Sequence, residues 1–245
     1  MKETIYTIPI NEAFDSGSFC PFCYMHKKLE EDAISYTLGP AMMEVDFRLV
    51  TNENGFCQKH IRELGAESKA LPLSLVFDSH LSEIEKLFDV DLRESKNKLF
   101  SKKEDAKALF AASMNKLATS CTVCLRIENT FSHYMNSFFY MLKKEKGFLE
   151  KVLSSDGFCM EHFALLCARA SESLTDSEYQ KLFIPIIELQ KKRVEEHHAH
   201  ILEFSQSFDY RNIGKTANFP KDILHKTSML LNGEFAPKPK KLDNI

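Results

Sequence analysis

Apolar positions along this chain repeat mostly at helical spacing. After Cys23, residues Met25, Leu29, Ala33, Tyr36 and Leu38 keep close to one face of a 3.6-residue period. After Cys124, residues Leu125, Ile127, Phe131, Tyr134, Met135, Phe138 and Met141 do the same over a longer stretch. Gly39-Pro40 stops the first of these helices and Lys146-Gly147 ends the second. Each is followed by a connector with a short helical stretch and then by Asn54-Gly55 or Asp156-Gly157. These are turn dipeptides, in which glycine accepts positive φ without a Cβ clash. New helices start at about Cys57 and Cys159.

The pattern continues elsewhere. In "LPLSLVFDSHLSEIEKLFDVDL", residues Leu75, Val76, Leu81, Ile84, Leu87 and Phe88 lie on or near one helical face. A charged segment and another helix, from about Glu104, follow. A long helix is expected from Ser177 to about Phe208, with Pro185 kinking or dividing it. A short helix, "KDILHKTSMLLNG", and a flexible tail, "EFAPKPKKLDNI", close the chain. The fold class is therefore all-α, and the low counts of Gly and Pro, 8 each in 245 residues, agree with it.

The cysteines organise this pattern into a duplication. Cys20 and Cys23 form one C-x-x-C, and Cys121 and Cys124 another, 101 residues later. Cys57 and His60 form a C-x-x-H inside "NGFCQKH", and Cys159 and His162 form a second, 102 residues on, inside "DGFCMEH". The string Gly-Phe-Cys-x-x-His is expected by chance on the order of 10⁻³ times per chain of this composition, so two copies mean a repeat. Organised on it, the chain divides into a first Cys₃His unit (1–66), a helical connector (67–118), a second Cys₃His unit with the long helix (119–215) and a terminal piece (216–245), all within one compact domain.

Three thiols and one imidazole are a zinc ligand set. Residues i and i+3 share a helical face, so Cys57 with His60, or Cys159 with His162, can grip one ion. A C-x-x-C at a helix start sets its thiolates beside unpaired N–H groups that favour negative charge. Taken repeat by repeat, Cys20, Cys23, Cys57 and His60 would hold one zinc ion, and Cys121, Cys124, Cys159 and His162 a second. With all four positions filled by protein, such zinc is structural rather than catalytic. An iron–sulfur centre is the rival reading, since thiolates with one histidine also hold clusters.

"ETIYTIPINEAF", "CPFC", "LGPAMMEVDFRLVTNENGFCQKH", "GFCMEHFALL" and "FDYRN" together resemble an uncharacterised bacterial family that carries the duplicated pattern over its whole length. The resemblance implies a metal core in all eight positions and brings no activity with it. Its members are at times labelled ABC transporter substrate-binding proteins. That label does not suit a chain starting "MKETIYTIPINEAF", which lacks an apolar signal region or a lipoprotein cysteine.

Other chemistry is thin. A net charge of −3 gives no reason to expect nucleic acid, no apolar run reaches membrane-span length, and seven cysteines without a signal peptide point to the cytoplasm. G-x-G-x-x-G, P-loop and G-x-S-x-G motifs are absent. Cys167 falls on an apolar face as a buried residue, His80 as a structural or exposed one, and His197, His198 and His200 on a solvated face. Glu44, Asp46 and Arg48 sit where no clean helical period runs, and are candidates for a functional surface. The reading is of a non-enzymatic interaction or regulatory module for a protein partner, with a redox, metal-sensing or metal-dependent enzymatic role as the alternative.

Overall fold

The structure, a computed structural model, describes residues 6–89, 106–212 and 219–234. Among these residues every regular element is helical. In chain order they are α1 (Thr7–Asp15), α2 (Pro21–Thr37), a 3₁₀ turn (Pro40–Met43), α3 (Val45–Asn54), α4 (Gln58–Ala66), α5 (Ala70–Phe88), α6 (Ala106–Thr119), α7 (Thr122–Lys144), α8 (Phe148–Leu153), α9 (Met160–Ser173), α10 (residues 176–206) and α11 (Ile223–Asn232). The charged segment before α6 and the C-terminal tail after Glu234 lie outside the described residues.

Contacts divide the chain into two compact units. Unit 1 comprises Met1–Lys27 and Phe131–Ile245, and unit 2 comprises Lys28–Thr130. The division therefore cuts α2 and α7, the helices that follow the two C-x-x-C motifs, instead of falling between the two repeats.

Unit 1 is built on phenylalanine. Phe22, Phe138, Phe158 and Phe183 are fully buried, and Phe14 lies within 6.4 Å of the Phe138, Phe148 and Phe158 rings. Edge-to-face pairs such as Phe22–Phe138 set the ring edge of one against the π-face of the other. Each buried ring contributes about 1.5–3 kcal/mol of transfer free energy. The long helix α10 packs on α8, α9 and α11. The regular α-helix is interrupted beside Pro185, as expected: its long α-helical part starts at Ile184 with the proline in its first turn. The preceding turn, Tyr179–Phe183, is a π-helical stretch in which the Ile184 N–H reaches the Tyr179 carbonyl. That wider turn takes up the proline, which has no N–H of its own to give to the ladder.

Unit 2 has a smaller core of Ala33, Ile34, Leu38, Phe56, Leu64, Val76, Val123 and Ile127. Here α5 packs on α3 and α4, and α3 packs on α6. The irregular period around Glu44 has a plain cause: the 3₁₀ turn ends at Glu44, whose ψ of 125° breaks the chain before α3 begins. The apolar face expected along α5 is only partly used. Val76 is buried, but Leu81 and Phe88 are exposed.

Candidate metal centres

Four helix starts carry all eight repeat residues. The carbonyls of Cys20, Cys57, Cys121 and Cys159 each accept the first helical N–H of the helix that follows, at 2.9 to 3.2 Å. Each of these cysteines thus holds the N-cap position, and its C-x-x partner (Cys23, His60, Cys124 or His162) stands one turn in. Cys57 and Cys159 have nearly the same extended backbone, φ −71° and ψ 166° against φ −69° and ψ 160°, and neither side chain caps its helix. A Ser or Asp there would spend its side chain on the helix N–H groups. The cysteines leave their sulfurs free to meet elsewhere.

They meet in two groups. Centre I gathers Cys20 and Cys23 from the start of α2 with Cys159 and His162 from the start of α9, and centre II gathers Cys121 and Cys124 from α7 with Cys57 and His60 from α4. In both, the four donor atoms lie within 4.8 Å of one another. The structure thus corrects the pairing within each repeat: the C-x-x-C of one repeat joins the C-x-x-H of the other. Chain length supplies the reason. Twenty-three residues of α7 carry the chain about 35 Å from Cys121, and residues 145–158, six of them helical, span about 36 Å only at full stretch. Cys159 is thus almost out of reach of Cys121.

The spacings fit one tetrahedral ion. Ligands at about 2.3 Å from zinc put sulfurs about 3.8 Å apart along a tetrahedral edge. Cys23 and Cys159 sulfurs stand 3.7 Å apart, and Cys57 and Cys124 sulfurs 4.0 Å. The Nδ1 atoms complete the figures. His162 Nδ1 lies 3.1, 3.4 and 3.7 Å from Cys159, Cys23 and Cys20, and His60 Nδ1 lies 3.2 to 3.3 Å from Cys121, Cys57 and Cys124.

Charge is already sorted in both sets. In centre I, hydrogen bonds from Cys20 and Cys23 hold the Cys159 thiol far below the ordinary thiol range, while the same bonding pushes Cys23 up. Burial lowers the His162 imidazole, but the Cys159 and Cys20 sulfurs outweigh it and raise it to about 10. In centre II, burial works against the Cys121 thiolate, yet His60 and backbone N–H groups of Cys124 and Cys57 bring it down to about 6. Burial likewise opposes charge on His60, and Cys121 with Glu30 overcomes it, to about 9. A divalent cation would replace the protons shared between these thiolates and imidazoles.

Loops fix the donors. Gly55 and Gly157 have φ of 57° and 89°. A Cβ on Gly55 would stand 2.8 Å from His80 Nε2, and one on Gly157 3.1 Å from Gln190 Oε1. His80 thus has a structural place, its Nδ1 within 3.1 Å of the Asn52 carbonyl. Gln190 is buried and holds Phe158 by both backbone groups, accepting its N–H at 3.0 Å and donating to its carbonyl at 2.8 Å.

Three supporting groups escaped the sequence reading. Glu30 is buried and its Oε1 lies 2.8 Å from His60 Nε2, with Lys59 bound to the same carboxylate. Glu63 stands 4.0 Å from the same ring nitrogen. Because the Lys59 ammonium already supplies the positive charge here, Glu30, His60 and Glu63 support centre II and form no third metal site. The third is the turn after α11. Gly233 has φ 83°, and a Cβ there would stand 3.1 Å from Cys23 Sγ and 3.6 Å from Cys159 Sγ. The Glu234 carboxylate accepts the Cys20 N–H at 3.1 Å.

Other candidates lie apart from both centres. Glu44 accepts the Tyr36 hydroxyl at 3.0 Å, and Arg126 stacks over that ring at 3.8 Å. Asp46 is exposed and Arg48 half-buried. Cys167 is half-buried rather than buried, and burial pushes its thiol up. His198 is exposed as expected. His197, however, packs on Phe19 and lies 3.1 Å from Thr227 Oγ1, and burial lowers it. With His200 it lines a cavity of about 160 Å³. Among the described residues no single helix is long and apolar enough to cross a membrane.

The profile of DUF6062, described as a family of unknown function, matches residues 1–238. No curated protein and no solved structure matches the chain.

Proposed function

The chain belongs to the DUF6062 family, whose description assigns no function, and from that footing we propose that it is a two-zinc protein in which each ion ties together two helix starts far apart in sequence. One observation carries this reading: two separate sets of three sulfurs and one Nδ1, the atoms of each within 4.8 Å of one another and each with a sulfur pair, at 3.7 or 4.0 Å, close to a tetrahedral edge. All four positions in each set are protein atoms, so the metal is structural and the reading is non-enzymatic. A single ion also suits these distances better than an iron–sulfur cluster, whose ligands sit on different iron atoms and cannot all crowd around one point. The seven thiols are free and suit a reducing, cytoplasmic setting.

The role is that of an interaction or regulatory module for a protein partner. Its support is the exposed run Met43, Val45 and Leu49 beside centre II's unit core, apolar side chains 61–72% exposed. The test is elemental analysis of protein purified anaerobically and without an affinity-tag metal, with an absorption spectrum. Two colourless zinc ions per chain are expected. Iron with visible absorbance would replace this reading with a redox one.

A further inference from the structure

The two centres differ in what covers them. Centre I is closed on every ligand: Cys20 and Cys159 have no exposure, Cys23 has 1% and His162 8%. The Gly233–Glu234 turn lies against its sulfurs, and the Glu234 carboxylate accepts the Cys20 N–H at 3.1 Å. In centre II, Cys121 and His60 are buried, but Cys57 and Cys124 are only partly buried. Its histidine is also anchored independently of any ion, because Glu30 holds Nε2 at 2.8 Å on the side away from the sulfurs.

Ligand exchange at zinc needs an incoming donor to reach the metal while a resident thiolate leaves and takes a proton from solvent. That path exists only where sulfur meets water. The ring that remains must also keep its orientation for the ion to return, and a carboxylate partner supplies this.

We propose that centre II is the exchange site of this protein: one zinc ion enters and leaves on the side where Cys57 and Cys124 reach solvent, while centre I keeps its ion as part of the core. This rests on the two-zinc reading. It assigns the chain a metal-responsive centre whose ligand is the zinc ion itself.

The experiment uses the full chain, its zinc content measured first. Excess chromogenic zinc chelator is added, and timed aliquots are alkylated with iodoacetamide and mapped by peptide. One equivalent of zinc leaves roughly tenfold or more faster than the second, a difference of about 1.4 kcal/mol in barrier. Cys57, Cys121 and Cys124 are alkylated in the fast phase, and Cys20, Cys23 and Cys159 only in the slow one. Release of both ions at one rate, or first alkylation of Cys20, Cys23 and Cys159, overturns this inference and leaves the two-zinc reading standing. Fewer than two ions before chelator is added overturns the two-zinc reading and this inference with it.

Discussion

Centres I and II start from one motif and end in different surroundings. Ten residues after Cys20 the chain has Glu30, and ten residues after Cys121 it has Phe131. Because the pairing is crossed, Glu30 faces His60 of centre II and Phe131 faces His162 of centre I. One imidazole therefore has a carboxylate at 2.8 Å, and the other has a ring whose centroid lies 5.5 Å away. Phe22 and His26 add further rings around His162, at 6.0 and 6.3 Å. The same ligand set is thus kept dry and apolar once and polar and half-open once. A duplicated metal site can preserve its first layer while the second layer diverges, and that layer decides access.

The largest effect is expected from the ligands. Cys159→Ser should lose one zinc ion and unmask Cys20 and Cys23 to alkylation, leaving Cys121 and Cys124 protected. Cys57→Ser should do the reverse. A structural zinc ion supplies on the order of 10 kcal/mol to its fold, so unit 1 in the first variant should unfold while unit 2 keeps its ion. If Cys159→Ser unmasked Cys121 and Cys124 instead, the crossed pairing would be wrong.

Next come the close approaches. Gly233→Ala strains a backbone at φ 83° and drives a methyl toward Cys23 Sγ, with a cost of about 1–3 kcal/mol confined to centre I. Gly55→Ala meets the His80 ring on the centre II side. Pairing it with His80→Ala should recover the part of the loss due to the clash and leave about 1–3 kcal/mol from a backbone at φ 57° and ψ −148°, a combination essentially reserved for glycine. Chemical denaturation of the two singles and the double measures this, and strict additivity would show that the ring is not the obstacle.

Gln190→Leu removes both hydrogen bonds to Phe158, leaving a buried N–H and carbonyl unpaired, which costs about 2–3 kcal/mol. Zinc should then leave centre I faster with no change at centre II. A variant of normal stability and release would mean that the turn before Cys159 holds itself.

Much of this was legible in the sequence, and the rest failed for physical reasons. The 3.6-residue period located α2 and α7, and the turn dipeptides placed the starts of α4 and α9 at Cys57 and Cys159. Spacing alone could not say which motif joins which, because it records distance along the chain and not the direction a helix travels. The length of α7 did hold that signal. Glu30 was hidden because a buried carboxylate and a solvated one look alike in a helical pattern. Gly233 read as an ordinary helix stop, and only packing shows the sulfurs beneath it. His197 looked solvated beside Glu195 and Glu196, yet a helix presents neighbouring residues to different sides.

The finest test separates the two partners of the His60 ring's carboxylate. Glu30→Gln keeps an oxygen within reach of Nε2 but removes the charge, and centre II should bind zinc about tenfold more weakly with centre I unchanged. Lys59→Met keeps most of the side-chain stem and removes only the ammonium. Lys59 is half-exposed, so its pairing with Glu30 is worth at most about 1 kcal/mol after solvent screening, and the zinc affinity of centre II should fall less than in Glu30→Gln. Competition with a chelator of known affinity ranks the two. The order matters because it identifies what holds the ring. If Glu30→Gln is the weaker binder, the carboxylate acts directly on His60. If Lys59→Met is the weaker, Glu30 orients the ring only while the ammonium holds it, and the polarity of centre II is then set from the surface inward.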